Sequence, residues 1–175
     1  MRIIAGNLGG RNFESPRGNR THPMSDKIRG ALFNALGDID GLTVLDAFAG
    51  SGAISYEAVS RGAKKVTAID NDRNAQQAIA QNLSSLGITN VRLIKSGAGA
   101  WLKKDQAKFD IVILDPPYDF VQSELLVKLA ARTKPQAIVV ISLPPTDNFV
   151  LKTDYELLQS KNYGDATLAF YRRLS

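Results

Sequence analysis

The regular alternation of short apolar segments with helical ones constrains the fold of this chain more than any other feature. Five apolar runs have the length and residue types of buried strands: 43–46, 65–70, 91–94, 109–114 and 137–143. Helical segments separate them, over 53–61, 73–86, a short stretch around Trp101, and 122–132. This alternation predicts an α/β fold in which a mostly parallel sheet is covered by helices on both faces.

The start of the chain follows a different pattern. Residues 2–5 and 10–13 predict a small N-terminal β-hairpin, and residues 14–24 have the composition of a loop. We therefore divide the chain into a basic N-terminal hairpin and loop, residues 1–24, and an α/β domain, residues 25–175.

Two further elements complete the predicted domain. A helix is expected to begin after Ser25, a good N-cap residue, and to end at Gly37. Near the end of the chain, residues 155–160 and 166–171 are strand-like, and the connection between them is too short for a crossover. This spacing predicts a C-terminal antiparallel hairpin.

The stretch Asp115-Pro116-Pro117-Tyr118 directly follows the apolar run 109–114. Two prolines cannot continue a ladder because they lack N–H groups, so the motif lies at the carboxyl end of a strand, where α/β sheets bind ligands. The Asp115 carboxylate and a proline carbonyl can accept hydrogen bonds from an amine, while the Tyr118 side chain stacks on the ring that carries the amine. We identify these four residues as catalytic candidates for a flat base that carries an amine. The alternative is that these residues only end the strand in a Pro-Pro turn and expose a tyrosine, with no role in binding a base.

A glycine turn follows the first strand of the domain. Asp46 ends that strand, Gly50 and Gly52 allow a sharp turn, and Asp70 ends the next strand. A carboxylate in this place accepts hydrogen bonds from ribose hydroxyls. A dinucleotide motif needs a third glycine where Ser55 stands, which weakens a nicotinamide cofactor; S-adenosylmethionine, which has a ribose and no phosphate, fits better. Alternatively, the glycine turn has only a structural role and binds no cofactor.

Positive charge is concentrated at the start of the chain. The first 29 residues hold six basic and two acidic residues, a net charge of +4 out of +5 for the chain. The candidate RNA-binding residues are Arg2, Arg11, Arg17, Arg20, Lys27 and Arg29. Such clustering favours a polyanionic partner, and an ordinary solvated basic surface is the alternative.

Composition excludes several kinds of chemistry. The chain has no cysteine and His22 is its only histidine, so disulfides, zinc–thiolate sites, thiol catalysis and a histidine-based triad are not expected, and we expect no metal. The apolar runs are shorter than a membrane span, and the first residues lack the apolar core of a signal peptide. We expect a cytoplasmic protein that does not bind membranes.

The motifs resemble a known family. Residues 46–52 (Asp-Ala-Phe-Ala-Gly-Ser-Gly), Asp70 and 115–118 are similar to motifs I, II and IV of class I methyltransferases that modify exocyclic amines of bases. Residues 2–6, 23–34 and 52–61 resemble the RsmD-type guanine-N2 methyltransferases of 16S ribosomal RNA in particular. The resemblance covers nearly the whole chain. It implies a Rossmann-like, seven-stranded, mostly parallel sheet whose last two strands include an antiparallel one.

The resemblance also implies roles for individual residues. S-adenosyl-L-methionine would contact Asp46, Phe48, Ala49, Gly50, Ser51, Gly52, Asp70, Asn71, Gly97, Ala98 and Asp115. The target base would contact Asp115, Pro116, Pro117 and Tyr118. Three positions depart from the family: His22-Pro23-Met24 stands for Arg-Pro-Thr, Gly97 for a polar residue near the adenine, and Ser142-Leu143-Pro144 for a strand end near an acid. Together they are expected to weaken cofactor affinity.

Three functions follow from these motifs. The favoured one is transfer of a methyl group to N2 of a guanine in 16S rRNA, within the small ribosomal subunit or an assembly intermediate, by a monomeric enzyme. The second is an adenine-N6 or cytosine-N4 methyltransferase of DNA or RNA, because Asp-Pro-Pro-Tyr also serves those amines. The third is a ribosome-assembly factor that binds the cofactor without catalysis.

Overall fold

A computed structural model describes residues 1–18 and 22–175 and contains a seven-stranded sheet with five helices among those residues. The strands are β1 (Thr43–Asp46), β2 (Lys65–Asp70), β3 (Val91–Lys95), β4 (Phe109–Leu114), β5 (Thr133–Leu143), β6 (Tyr155–Asn162) and β7 (Thr167–Arg173). The helices are α1 (Asp26–Leu36), α2 (Ala53–Ser60), α3 (Arg73–Leu86), α4 (Ala98–Lys104) and α5 (Ser123–Ala130).

The sheet order is β3-β2-β1-β4-β5-β7-β6. The first five strands in this order are mutually parallel, β7 pairs antiparallel with β5, and β6 pairs antiparallel with β7. The predicted α/β fold and the C-terminal antiparallel hairpin are therefore confirmed. β5 is longer than predicted, because it starts at Thr133 instead of residue 137.

Helices cover both faces of the sheet, as predicted. On one face, Trp101 of α4 and Leu126 of α5 pack in the same core cluster as Val112 and Val139. On the other face, α1 and α2 bury apolar residues against Val44, Val66 and Ile113, and α3 covers the adjacent strands through Ile79. Side chains alternate between the two clusters along β1, β5 and β7, as expected for strands buried on both faces, whereas β6 is largely exposed.

The N-terminal segment is part of the packed structure. Residues 2 and 12 form a single antiparallel bridge, so the predicted hairpin is present only in a minimal form. Ile3 and Phe13 are buried in a cluster with Tyr56 of α2 and Leu86 of α3. The division at residue 25 stays a prediction, but residues 1–14 are not a free tail.

No helix in the described part of the chain is long and apolar enough to cross a membrane. Within the same residues, no group of three or more His, Cys, Asp and Glu side chains is placed to hold a metal ion.

Candidate active site

A cleft of about 1500 Å³ lies at the carboxyl ends of β1, β2, β3 and β4. The chain turns out of each of these strands along its wall, so the cleft joins loops that are far apart in sequence. Most of the predicted cofactor and base residues line it: Phe48, Ala49, Gly50, Ser51, Asp70, Asn71, Gly97, Ala98, Asp115, Pro116, Pro117 and Tyr118. The exceptions are Asp46 and Gly52.

Asp70 holds the glycine turn in place. Its Oδ2 accepts a hydrogen bond from the Gly50 N–H at 2.7 Å, and its Oδ1 accepts one from the Asp72 N–H at 2.8 Å. The pKa of Asp70 is raised by burial, although these backbone hydrogen bonds oppose the shift. Asp70 therefore joins the turn after β1 to the end of β2, and it still borders the cleft, where a ribose would meet it.

Gly52 has a structural reason to be glycine. Its backbone has φ of 81°, and a Cβ there would lie 2.3 Å from the Tyr56 hydroxyl oxygen. The turn therefore packs directly onto α2, behind the cleft wall. The prediction that Gly52 contacts the cofactor is not supported by this placement.

Asp46, like Gly52, does not line the cleft. It is 0% exposed, and its Oδ2 accepts a hydrogen bond from the Ser55 hydroxyl at 2.7 Å. Its Oδ1 has no hydrogen-bond partner among residues 1–18 and 22–175. Burial, with smaller contributions from the charges of Asp115 and Asp70, raises the pKa of Asp46 to about 7. Ser55, where a dinucleotide motif would have glycine, thus has a defined structural role.

The Asp115–Tyr118 motif, at the end of the adjacent strand β4, forms another part of the cleft wall. Asp115 is half-buried, and burial raises the pKa of its carboxyl to about 6, while a hydrogen bond from Ser142 opposes the rise. The Pro117 carbonyl accepts from the Phe120 N–H at 3.0 Å, so the motif closes as a turn. Tyr118 is 40% exposed and its hydroxyl oxygen lies 2.7 Å from Ser142 Oγ. The tyrosine is fixed at its polar end while its ring remains accessible for stacking.

The carboxylates around the cleft make it suited to a cationic ligand. The charges of Asp115 and Asp70 both raise the pKa of Asp46, which means that ionised Asp46, directly behind the cleft, is repelled by each of these two cleft carboxylates. A ligand with a sulfonium and an ammonium group would relieve this repulsion. At Gly97, a Cβ would meet nothing within 4 Å, so open space remains beside the first turn of α4. The residues present therefore fit S-adenosylmethionine.

Several cleft residues were missed by the sequence reasoning. Phe120, which is 67% exposed, and Asp165 in the turn between β6 and β7 both line the cleft. Ser142 at the end of β5 binds the motif from behind. Phe120 follows the motif by two residues, so its position could have been found from the sequence. Asp165 and Ser142 depend on the strand order, because β7 lies beside β5 and β5 lies beside β4. Ser142 was noted only as a departure from the family.

The predicted RNA-binding residues separate into distinct environments, and one prediction is wrong. Arg29 is 0% exposed, and its guanidinium donates to the Met24 and Arg2 carbonyls and to Asp26. It also lies 3.8 Å from a carboxylate oxygen of Glu57. Arg29 therefore stabilises the packing of the N-terminal segment and cannot reach a phosphate.

Arg11 is exposed but lies far from the cleft. Its guanidinium donates to the carbonyls of Ser85 and Leu86 at the C-terminal end of α3, whereas the cleft borders the N-terminal end of that helix. Arg20 lies outside the described residues. The prediction for Arg11 is not supported as part of a surface next to the cleft.

Three predicted basic residues are exposed and adjoin residues that border the cleft, although they do not line it themselves. Lys27 is exposed in the first turn of α1, next to the cleft residues Ser25 and Ile28. Arg17 is exposed, and the adjacent Gly18 approaches Asn74 in the first turn of α3. Arg2 is exposed and pairs with Asp26 at 3.1 Å. Arg73, which was not predicted, lines the cleft directly.

Comparison with known proteins gives consistent matches over most or all of the chain. The family model described as conserved hypothetical protein 95 matches residues 1–172. Ribosomal RNA small subunit methyltransferase D of Haemophilus influenzae is 31% identical over 98% of this chain and 93% of its own length. The protein of that name from Escherichia coli K12 is 39% identical over 67% of this chain and 60% of its own length. The solved structure of Escherichia coli yhhF is 30% identical, with a TM-score of 0.89 over 100% of this chain and 98% of its own.

Proposed function

The chain belongs to the RsmD family, and we propose that it transfers a methyl group from S-adenosylmethionine to the exocyclic N2 of a guanine in 16S ribosomal RNA. Its relatives are named as methyltransferases of small-subunit ribosomal RNA. The chain is an enzyme with the class I methyltransferase fold. The choice of N2 and of guanine depends on the resemblance of residues 2–6, 23–34 and 52–61.

One observation supports the proposal most directly. The Asp70-braced glycine turn and the Asp115–Tyr118 motif line the same cleft. A ribose held beside Asp70 and a base stacked on Tyr118 would therefore meet in one space. This is the geometry that transfer between a nucleoside cofactor and a base requires, since positioning supplies much of the rate.

The residues of this chain have clear roles in such a reaction. When bound, S-adenosylmethionine supplies an electrophilic methyl group and leaves as a neutral thioether. Asp115 accepts an N–H of the target amine, which helps to localise the nitrogen lone pair and balances the positive charge that develops there. Because the pKa of Asp115 is raised to about 6, the carboxylate is ionised at neutral pH and is a better base than an ordinary aspartate.

The base must leave its stack to reach Asp115, and the exposed ring of Tyr118 offsets part of that cost by stacking on it. Phe120 adds a second exposed aromatic surface at the entrance. Lys27, Arg17 and Arg2 are exposed and would contact the RNA backbone in this proposal. We propose that the RNA is presented within the small ribosomal subunit or an assembly intermediate, and that the protein acts as a cytoplasmic monomer.

Replacement of Asp115 tests the proposal. Asp115→Ala is expected to abolish transfer of labelled methyl while the affinity for S-adenosylmethionine, measured by calorimetry, changes by no more than a few-fold. Asp119→Ala is the matched control, because Asp119 is exposed at the cleft entrance. Persistent transfer in the Asp115→Ala protein would exclude the assigned role. Binding of NADH without binding of S-adenosylmethionine would exclude the methyltransferase function altogether.

A further inference from the structure

Ser142 lies directly behind the base-binding motif. β4 and β5 are parallel and pair Leu114 with Ile141, so the next residues along the two strands, Asp115 and Ser142, are neighbours. Ser142 is 1% exposed and does not line the cleft. A hydroxyl buried at this point has to be satisfied by its neighbours.

The Ser142 hydroxyl connects two residues of the motif. Its Oγ lies 2.7 Å from the Tyr118 hydroxyl oxygen. The pairing of β4 with β5 also places it beside Asp115, and it lowers the pKa of that carboxyl. An ionised carboxylate can only accept hydrogen bonds. A serine hydroxyl between ionised Asp115 and Tyr118 would therefore donate to the carboxylate and accept from the tyrosine.

We propose that Ser142 is a positioning residue for the methyl transfer proposed above: its hydroxyl joins Tyr118 to Asp115 and so orients the stacking ring and the acceptor carboxylate as one unit. The inference rests on the proposed function, but the hydrogen-bonded link is a separate claim. Ser142 acts through its two partners, since it does not border the cleft.

The arrangement has two consequences for the chemistry. In this link one oxygen of Asp115 accepts from Ser142, which leaves the other oxygen to accept the N–H of the target amine. The Tyr118 hydroxyl is held by its hydrogen bond to Ser142, while the residue is 40% exposed. The orientation of the ring is therefore fixed before the base binds. Removing the serine hydroxyl would free both partners and would also remove a hydrogen bond that stabilises the ionised carboxylate.

The pH dependence of kcat/KM tests this proposal. Activity requires ionised Asp115, so the acidic limb of the profile is expected near the carboxyl pKa of about 6. In Ser142→Ala the limb is expected to move up by about one pH unit, so that kcat/KM falls about tenfold near pH 5.5 and much less near pH 8.5. Affinity for S-adenosylmethionine stays within a few-fold. Ser142→Thr, which keeps a hydroxyl, is expected to restore the limb.

A double-mutant cycle separates a link from two independent contacts. Tyr118→Phe keeps the stacking ring and removes only the far end of the link, so it is expected to move the limb in the same direction by a smaller amount. The double variant Ser142→Ala/Tyr118→Phe is expected to match Ser142→Ala alone. Additive effects, or a Ser142→Ala profile that falls uniformly at every pH, would overturn the proposal and leave Ser142 with a purely structural role.

A spectroscopic measurement distinguishes failure of this proposal from failure of the proposed function. The titration of Asp115 is followed by carboxyl ¹³C NMR and assigned by difference with Asp115→Asn. An upward shift of its midpoint in Ser142→Ala, or in Tyr118→Phe if the serine variant does not fold, supports the link even if no methyl transfer is found. An unchanged midpoint overturns it, whatever the activity of the wild-type enzyme.

Discussion

The buried carboxyl of Asp46 makes a specific prediction about stability and pH. Its pKa is raised from 3.8 to about 7 in the folded protein, so the folded state holds the proton more tightly than the unfolded state does. The stability contributed by this group is therefore complete below about pH 4 and is lost as the pH rises through about 7. Asp46→Asn removes this dependence, because the amide does not ionise and its oxygen can still accept from Ser55.

The size of the effect follows from the pKa shift. A rise from 3.8 to about 7, at about 1.4 kcal/mol per pKa unit, corresponds to about 4 kcal/mol. Urea denaturation at a series of pH values measures the free energy of unfolding of the wild type and of Asp46→Asn. The difference in favour of the variant is expected to grow between about pH 4 and pH 7, approach about 4 kcal/mol, and then level off.

Asp110→Asn is the matched control on the adjacent strand β4. Although burial raises the pKa of Asp110, hydrogen bonds with Lys134 and Thr43 outweigh it, and the net shift is downward. Its contribution to stability is therefore present above the unfolded pKa and is lost as the pH falls, so this variant should lose stability relative to wild type as the pH rises. A stability difference for Asp46→Asn that does not change with pH would refute the reasoning about the buried, partly unpaired carboxylate.

Three further predictions concern the packing, the cofactor and the RNA. Glu57 is 0% exposed and accepts two main-chain N–H groups of the N-terminal segment, so Glu57→Ala is expected to lower the free energy of unfolding by about 3–5 kcal/mol in urea denaturation; a loss below 1 kcal/mol would contradict this. Asp70→Asn is expected to weaken S-adenosylmethionine binding in calorimetry with RNA binding intact, and equal affinity would place the ribose elsewhere. Lys27→Glu should weaken RNA binding and lower its salt dependence in filter binding, while Arg11→Glu should not; the reverse result would move the RNA surface away from the cleft.

Most of the fold was predictable because its elements carry local signals. The apolar run 109–114 is ended by two prolines, and the helix from Arg73 to Leu86 is closed by Gly87 in a left-handed conformation, so their bounds agree with the prediction. The start of β5 was missed since residues 133–136 contain Lys134 and Pro135, which look like loop residues in sequence. Within this segment only Thr133 pairs with β4, and the register shifts before Ile138 at an irregularity that includes Gln136 with φ of 64°.

The site was only partly predictable, for a different physical reason. Sequence places a carboxylate at a strand end, and this located Asp70 and Asp115 at the cleft. It does not reveal burial, so Arg29 was counted as a surface charge although it is enclosed by carbonyls and carboxylates. Ser142 lies beside Asp115 through the pairing of β4 with β5, and Asp165 reaches the cleft through the position of β7 beside β5. No local pattern encodes either arrangement.

The most direct test of the central claim is to identify the methylated nucleoside. The protein is incubated with labelled S-adenosylmethionine and, in separate reactions, with naked 16S rRNA, small-subunit particles from a strain lacking the enzyme, and duplex DNA. Nuclease digestion and mass spectrometry then identify the product, with Asp115→Ala as the inactive control. We expect N2-methylguanosine, from the particles above all. N6-methyladenine from DNA, or no methylation of any of the three substrates, would contradict the proposed function.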